Sequence, residues 1–170
     1  MKTIVFACKS NTCRSQMAEG WAREWIRERP EISNSTIVAS IALDSSAVFT
    51  NNNNNCNCEK DQTCEIKTVK PKAIHAMAQE GVDISQNTVK TFEQILPHVI
   101  PQLPIDFLVV LCSCGVEKDL VDNCRHIRQW YVEAPTAAAK QGEGDHAYRR
   151  VCLEIRERVH CLMEELHQGI

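Results

Sequence analysis

The sequence predicts an α/β protein, a parallel sheet covered by helices on both faces. Strand-like and helix-like segments alternate along the chain. The two strongest strand patterns, over 4–7 and 106–111, are built on the continuous apolar runs Ile4-Val5-Phe6-Ala7 and Phe107 to Leu111 rather than on alternation, as expected of strands buried on both sides. The longest helix pattern, over 145–167, repeats Tyr148, Val151, Ile155, Val159, Leu162 and Leu166 as a stripe facing a core.

In order along the chain, the Ile4–Ala7 strand runs straight into a polar loop. A helix over 15–29 follows, with Met17, Trp21 and Trp25 at helical spacing and Pro30 as its stop. Ile37-Val38-Ala39 is a short strand. Pro71 opens a helix through residue 80 that Gly81 ends. The 106–111 strand comes next, then a weaker one over 126–132 with Ile127, Trp130 and Tyr131, then the last helix.

At 170 residues the chain has the usual size for one core, so a single domain over 1–170 is expected. A net charge of −3 with 24% charged residues argues against a nucleic-acid stripe or a polybasic membrane patch. No apolar stretch approaches the roughly 20 residues that span a bilayer. The apolar run before the first polar loop is too short for a secretory leader. Ten cysteines suggest a disulfide framework, but a domain of this size needs no staples. Free thiols in a reducing, cytoplasmic setting are expected instead.

The chemistry is concentrated at Cys8-Lys9-Ser10-Asn11-Thr12-Cys13-Arg14-Ser15, between strand and helix. There the backbone N–H groups of Lys9, Ser10, Asn11, Thr12, Cys13 and Arg14 can converge on one point at the positive end of the helix. Arg14 adds a two-pronged donor suited to tetrahedral oxyanions. The same donors stabilise a thiolate, so Cys8 reads as a nucleophile built into an anion site rather than a small buried hydrophobe. Cys152 and Arg158 have the same spacing but sit inside a helix pattern with no strand before them, and that match is discarded.

The string from Cys8 through Gly20, ending Cys-Arg-Ser-Gln-Met-Ala-Glu-Gly, resembles the opening of the low-molecular-weight tyrosine phosphatase superfamily, and most of all its arsenate reductase branch. The resemblance implies a four-stranded parallel sheet, Cys8 as nucleophile and Arg14 as oxyanion clamp. It also implies that Asn11 braces the loop and that Ser15 hydrogen-bonds the thiolate.

A second segment separates the branches. The 106–111 strand ends in Cys112-Ser113-Cys114-Gly115-Val116, and the carboxyl end of a central strand opens onto the ligand crevice of an α/β sheet. A phosphatase has no use for thiols there, whereas reducing arsenate takes two electrons that a second thiolate can supply. The plainer reading is two buried structural cysteines. The segment is similar to the redox segment of cyanobacterial-type arsenate reductases, which implies Cys112 as resolving cysteine and Cys114 as its partner. It also implies glutathione with glutaredoxin, or thioredoxin, as electron donor, with no bound cofactor and no metal. Asp122-Asn123-Cys124 echoes a motif of thioredoxin-coupled relatives and makes Cys124 a second choice for the resolving role. Cys13 is expected to be structural or a partner to Cys8 under oxidation, and Cys152 and Cys161 to be packing residues.

Two departures from the family stand out. Residues 45–68, with asparagines at 51–55 and Cys56, Cys58 and Cys64, interrupt family-like sequence and read as a flexible loop insertion. The cysteines suggest a soft-metal or arsenite trap, but their spacing matches no standard zinc motif. The family's general-acid aspartate, in an Asp-Pro pair, aligns with Ala134 before Pro135; the neighbouring Glu133 is the nearest substitute. Losing a positioned acid typically forfeits ~10²–10⁴ in rate.

The expected function is therefore reduction of arsenate to arsenite for arsenic detoxification. Cys8 attacks arsenic, Cys112 or glutathione attacks the Cys8 sulfur, and Cys114 passes on the oxidation. The alternatives are a tyrosine phosphatase, which would want an acid at 134 and aromatic residues after Pro135, and an impaired relative that binds metalloid or metal through cysteines.

Overall fold

In the computed structural model, which describes residues 1–50, 65–96 and 103–168, the chain begins β1 (Lys2–Cys8), α1 (Arg14–Arg27), α2 (Pro30–Ser33) and β2 (Thr36–Ala42). A 3-10 turn (Ser45–Val48), β3 (Phe49–Thr50), β4 (Glu65–Ile66), α3 (Pro71–Gln79) and α4 (Phe92–Ile95) follow. The last part runs β5 (Ile105–Val110), α5 (Lys118–Asp122), β6 (Cys124–Gln129), α6 (Pro135–Ala138), a π turn (Ala139–Glu143) and α7 (His146–His167).

Four strands form one sheet in the order β2-β1-β5-β6, every pair parallel. Cys8 lies beside Ala42 and Ala7 beside Val110, so β1, β2 and β5 finish together and their carboxyl ends open one crevice. Alternate residues of each strand feed two cores. On one face Ile4, Phe6, Val109 and Leu111 pack with Met17 and Trp21 of α1, Met77 of α3, and Val151, Ile155 and Val159 of α7. On the other, Val5, Ala7, Leu108 and Val110 pack with Ile95 of α4 and Leu120 of α5. Helices thus cover both faces, as the apolar runs predict.

The element bounds differ from the sequence reading for local reasons. Pro30 does more than stop α1, since it occupies the first turn of α2, where its missing N–H has no cost. Gly81 takes the left-handed conformation (φ 86°) expected of a residue that ends a helix. The weaker strand runs over Cys124–Gln129 rather than 126–132, because the chain turns once Trp130 N–H has bonded Val110 O at 2.7 Å. Trp130 nonetheless packs against Phe6, with ring centroids 6.1 Å apart. The helices α4 and α5, of one turn each, carry no sequence periodicity long enough to announce them.

The expected insertion leaves and rejoins through the antiparallel pair β3–β4, where Phe49 faces Ile66. Residues 51–64, including Cys56, Cys58 and Cys64, lie outside the described residues. Among the described residues, no helix is long and apolar enough to cross a membrane.

Ile155, fully buried where α7 meets the sheet, tests this core. Ile155→Ala is expected to lower unfolding free energy by about 2–5 kcal/mol in urea titration. A change below 0.5 kcal/mol would contradict the packing described.

Candidate active site

Between Cys8, the last residue of β1, and Arg14, the first of α1, residues 9–13 curl around the helix start. Asn11 makes the turn with a left-handed φ of 52°, a conformation that asparagine tolerates better than most residues. Its side chain is completely buried, and every hydrogen-bonding position on it is filled. Oδ1 accepts from Lys90 N–H at 2.9 Å and from Gln16 Nε2 at 2.8 Å. Nδ2 donates to Ser15 Oγ at 2.9 Å and to Ser40 Oγ at 2.8 Å.

This arrangement has a direction. The Lys90 backbone N–H can only donate, which fixes Oδ1 toward it and Nδ2 toward the two serines. Ser15 Oγ therefore accepts from Asn11, and its own proton is left for the Cys8 sulfur 3.0 Å away. Ser40 likewise accepts from Asn11 and gives its proton to Glu19 Oε2 at 2.5 Å. Glu19 is fully buried on α1, one helical turn beyond Ser15. The Lys90 ammonium lies 3.4 Å from its Oε2, and Arg23 closes on Oε1 as an ion pair outside hydrogen-bond geometry. Burial pulls the Lys90 ammonium below the usual lysine range, and Glu19 opposes that shift.

Around this loop the structure brings together most of the expected residues. Ser10 Oγ bonds Thr12 Oγ1 at 3.0 Å, and the Lys9 carbonyl accepts from Asp44 N–H at 3.0 Å. Arg14 Nη1 donates to Leu111 O at 3.0 Å and Val132 O at 2.6 Å, pinning the end of β5 and the loop after β6 to the start of α1. Three guanidinium N–H groups have no partner among the described residues, enough for a two-pronged contact with an oxyanion.

Every described cysteine is a free thiol. Cys8 and Cys112 are both buried, at 3% and 4% exposure, and Cys114 is half-buried. Cys8 packs into the α1–α7 core, whereas Cys112 packs into the core on the other face of the sheet. Burial pushes the Cys112 thiol up to about 12, reinforced by a hydrogen bond with the Cys114 side chain and opposed by one with the Cys114 backbone. Burial likewise raises Cys13 to about 12.

Cys124 is not brought to the crevice. It opens β6 beside Ile105, the first residue of β5, so it lies at the amino-terminal edge of the sheet. The length of β5, roughly 16 Å at about 3.3 Å per residue, separates that edge from the ligand end. Its Sγ donates to Leu120 O at 3.0 Å, and burial raises the thiol to about 11. Cys152 is a packing residue against Met77 as expected, but Cys161 is exposed.

Ala134 immediately precedes α6, and Glu133 does not take over from an acid there. Its carboxylate points outward to Arg150 of α7, at 2.8 Å. The loop is instead tied inward by Thr136, whose Oγ1 accepts from Lys70 Nζ at 2.6 Å and lies 3.1 Å from Tyr148 OH. Sequence reasoning missed Gln16, Glu19, Ser40, Lys70, Lys90 and Tyr148. Two of these left a trace: Ser40 is polar within a buried strand, and Glu19 is charged on the face of α1 that buries Met17 and Ala18. Among the described residues, no group of three His, Cys, Asp or Glu side chains could hold a metal.

No protein-family model matches the chain. It is 34% identical over 123 residues to an arsenate reductase of Staphylococcus xylosus, a match spanning 72% of this chain and 66% of that one. It is 29% identical over 167 residues to the glutaredoxin arsenate reductase of Synechocystis sp., covering 98% of this chain and 99% of that one. Among solved structures it resembles an arsenate reductase in a phosphate-binding state, with 28% identity, TM-score 0.64 and coverage of 97% and 98%. A low-molecular-weight protein tyrosine phosphatase from T. tengcongensis, 18% identical with TM-score 0.61 and coverage of 97% and 99%, shares the fold.

A thiol held near 12 by burial is almost wholly protonated at neutral pH. Alkylation of Cys112 by iodoacetamide, followed by mass spectrometry of the native protein, should speed up about tenfold per pH unit from pH 7 to 10. A plateau near pH 8.5 would contradict this environment.

Proposed function

The chain belongs to the arsenate reductases built on the low-molecular-weight tyrosine phosphatase fold, and from that premise we propose that Cys8 is its nucleophile and Cys112 and Cys114 its redox relay. The observation that carries the reading is the Cys8 sulfur 3.0 Å from a Ser15 hydroxyl whose proton has no other acceptor among the described residues. A hydrogen bond donated to a thiolate favours the charged, nucleophilic form.

Arsenate sits against the N–H groups of Lys9, Ser10, Asn11, Thr12, Cys13 and Arg14, with the Arg14 guanidinium on two of its oxygens. The Cys8 thiolate forms a sulfur–arsenic bond as one oxygen leaves and becomes water. A second thiolate, from Cys112 or glutathione, then attacks the Cys8 sulfur. The sulfur–sulfur bond forms, the sulfur–arsenic electron pair passes to arsenic, and arsenite departs. Two thiols are oxidised to one disulfide, and arsenic falls from the +5 to the +3 state. Because Cys112 packs on the opposite face from Cys8, the short segment beyond Leu111 must swing its thiol across the sheet end for this step. Cys114 takes over the oxidation, and glutathione with glutaredoxin clears it, with thioredoxin as the other candidate donor.

A tyrosine phosphatase reading is not favoured. Ala134 supplies no acid, Glu133 is engaged by Arg150, and the crevice carries two further thiols. A cytoplasmic setting suits free cysteines, and the 45–68 segment is read as a loop insertion outside this chemistry.

Arsenate-dependent thiol consumption tests the assignment in two mixtures, glutathione with glutaredoxin and thioredoxin with its reductase. Cys8→Ser is expected to abolish turnover in both, and Cys112→Ser to stop multiple turnover. Turnover retained by Cys8→Ser would refute the nucleophile, and normal cycling of Cys112→Ser would remove that residue from the relay.

A further inference from the structure

The loop that carries Ala134 is fastened to the anion loop by a lysine. Lys70 N–H donates to Thr12 O at 2.9 Å, and its carbonyl accepts from Ala73 and Ile74 at the start of α3, so its backbone is held from both sides. Its ammonium donates to Thr136 Oγ1, two residues beyond Ala134, and Thr136 also meets the buried Tyr148 hydroxyl of α7. The positive charge is felt at Cys13 inside the anion loop, where it opposes the effect of burial.

The charged and titratable groups facing Lys70 from its surroundings are few. Among the described residues, Cys13 comes from the anion loop, and Tyr148 of α7 meets the same Thr136 hydroxyl. Nearby carboxylates are already engaged, Glu133 by Arg150 and Asp145 by Lys72 at 2.6 Å. Among the described residues, no carboxylate pairs with Lys70.

We propose that the Lys70 ammonium, seated on Thr136 two residues beyond Ala134, supplies the first half-reaction with positive charge at the departing oxygen, in place of the acid that Ala134 lacks. The proposal rests on Cys8 being the nucleophile. A thiolate and the arsenate dianion give a sulfur–arsenic adduct and hydroxide: one S–As bond forms, one As–O bond breaks, and hydroxide takes a proton from solvent. A cation beside the departing hydroxide stabilises that charge as it develops. The arsenate monoanion needs the cation less, because it carries a proton of its own to the leaving oxygen and releases water directly.

This difference gives a pH signature that a merely structural anchor does not. The readout is the rate of arsenite release in a single turnover of the reduced protein, without donor, across the second ionisation of arsenate. Phosphate binding checks that each variant retains its loop. Lys70→Met is expected to lose on the order of 10²-fold on the alkaline side and much less on the acid side. Lys70→Arg should stay near the parent rate, and adding Ala134→Asp to Lys70→Met should restore much of the loss. A Lys70→Met rate equal to the parent, a loss by the same factor at every pH, or no rescue by Ala134→Asp would each overturn the proposal. If Lys70→Met fails to bind phosphate, Thr136→Val, which keeps the lysine but removes the hydroxyl it shares with Tyr148, is read instead, and a parental pH profile in it overturns the proposal. Cys8→Ser in the same assay tests the nucleophile separately.

Discussion

The four hydrogen bonds of the buried Asn11 amide are the constraint on which the site depends. They hold a non-glycine residue in the left-handed region, which bends residues 9–13 around the start of α1. They also set the direction of the chain that ends on sulfur. Lys90 N–H fixes the amide, the amide fixes Ser15 as acceptor, and Ser15 is left to donate to Cys8. Removing the amide would strand several buried partners, each at about 1–3 kcal/mol. The loop is thus held in this shape by the protein's own hydrogen bonds, which is the preorganisation the proposed mechanism requires.

The other end of the network shows why a buried carboxylate is tolerated beneath an anion site. Glu19 has no exposure, yet Ser40, Lys90 and Arg23 surround it. A buried charge persists only when paired in this way. Lys90 serves twice, its backbone orienting Asn11 and its ammonium neutralising Glu19. Arg14 has a comparable double character, since Nη1 staples β5 and the loop after β6 to α1 while the proposed mechanism uses its other N–H groups for the oxyanion. Structural and chemical roles therefore fall on the same side chains.

Much of this was legible in the sequence because its carriers are local. A strand running into Cys8-Lys9-Ser10-Asn11-Thr12-Cys13-Arg14 and then a helix is a contiguous pattern, and so is an apolar strand ending at Cys112. The parallel arrangement followed from strands apolar on both faces. What stayed hidden is long-range. Lys90 lies 79 residues from Asn11 and Lys70 lies 66 from Thr136, and nothing near either lysine marks its partner. Cys124 drew attention through a short motif, yet the parallel crossover through α5 returns the chain to the far edge of the sheet before that residue. Glu133 was the nearest acid in sequence, but Arg150 on α7 turns it outward.

The proposed chemistry turns on the Ser15 hydroxyl, oriented by Asn11, donating to the Cys8 sulfur. The most direct measurement is the rate at which Cys8 reacts with iodoacetate at fixed neutral pH in the parent protein, in Ser15→Ala and in Ser15→Thr, which keeps a hydroxyl. A hydrogen bond to a charged group contributes about 1.5–3 kcal/mol, so Ser15→Ala is expected to react roughly 10- to 150-fold more slowly. Ser15→Thr should stay within a few-fold of the parent. Equal rates for Ser15→Ala and the parent would contradict the account.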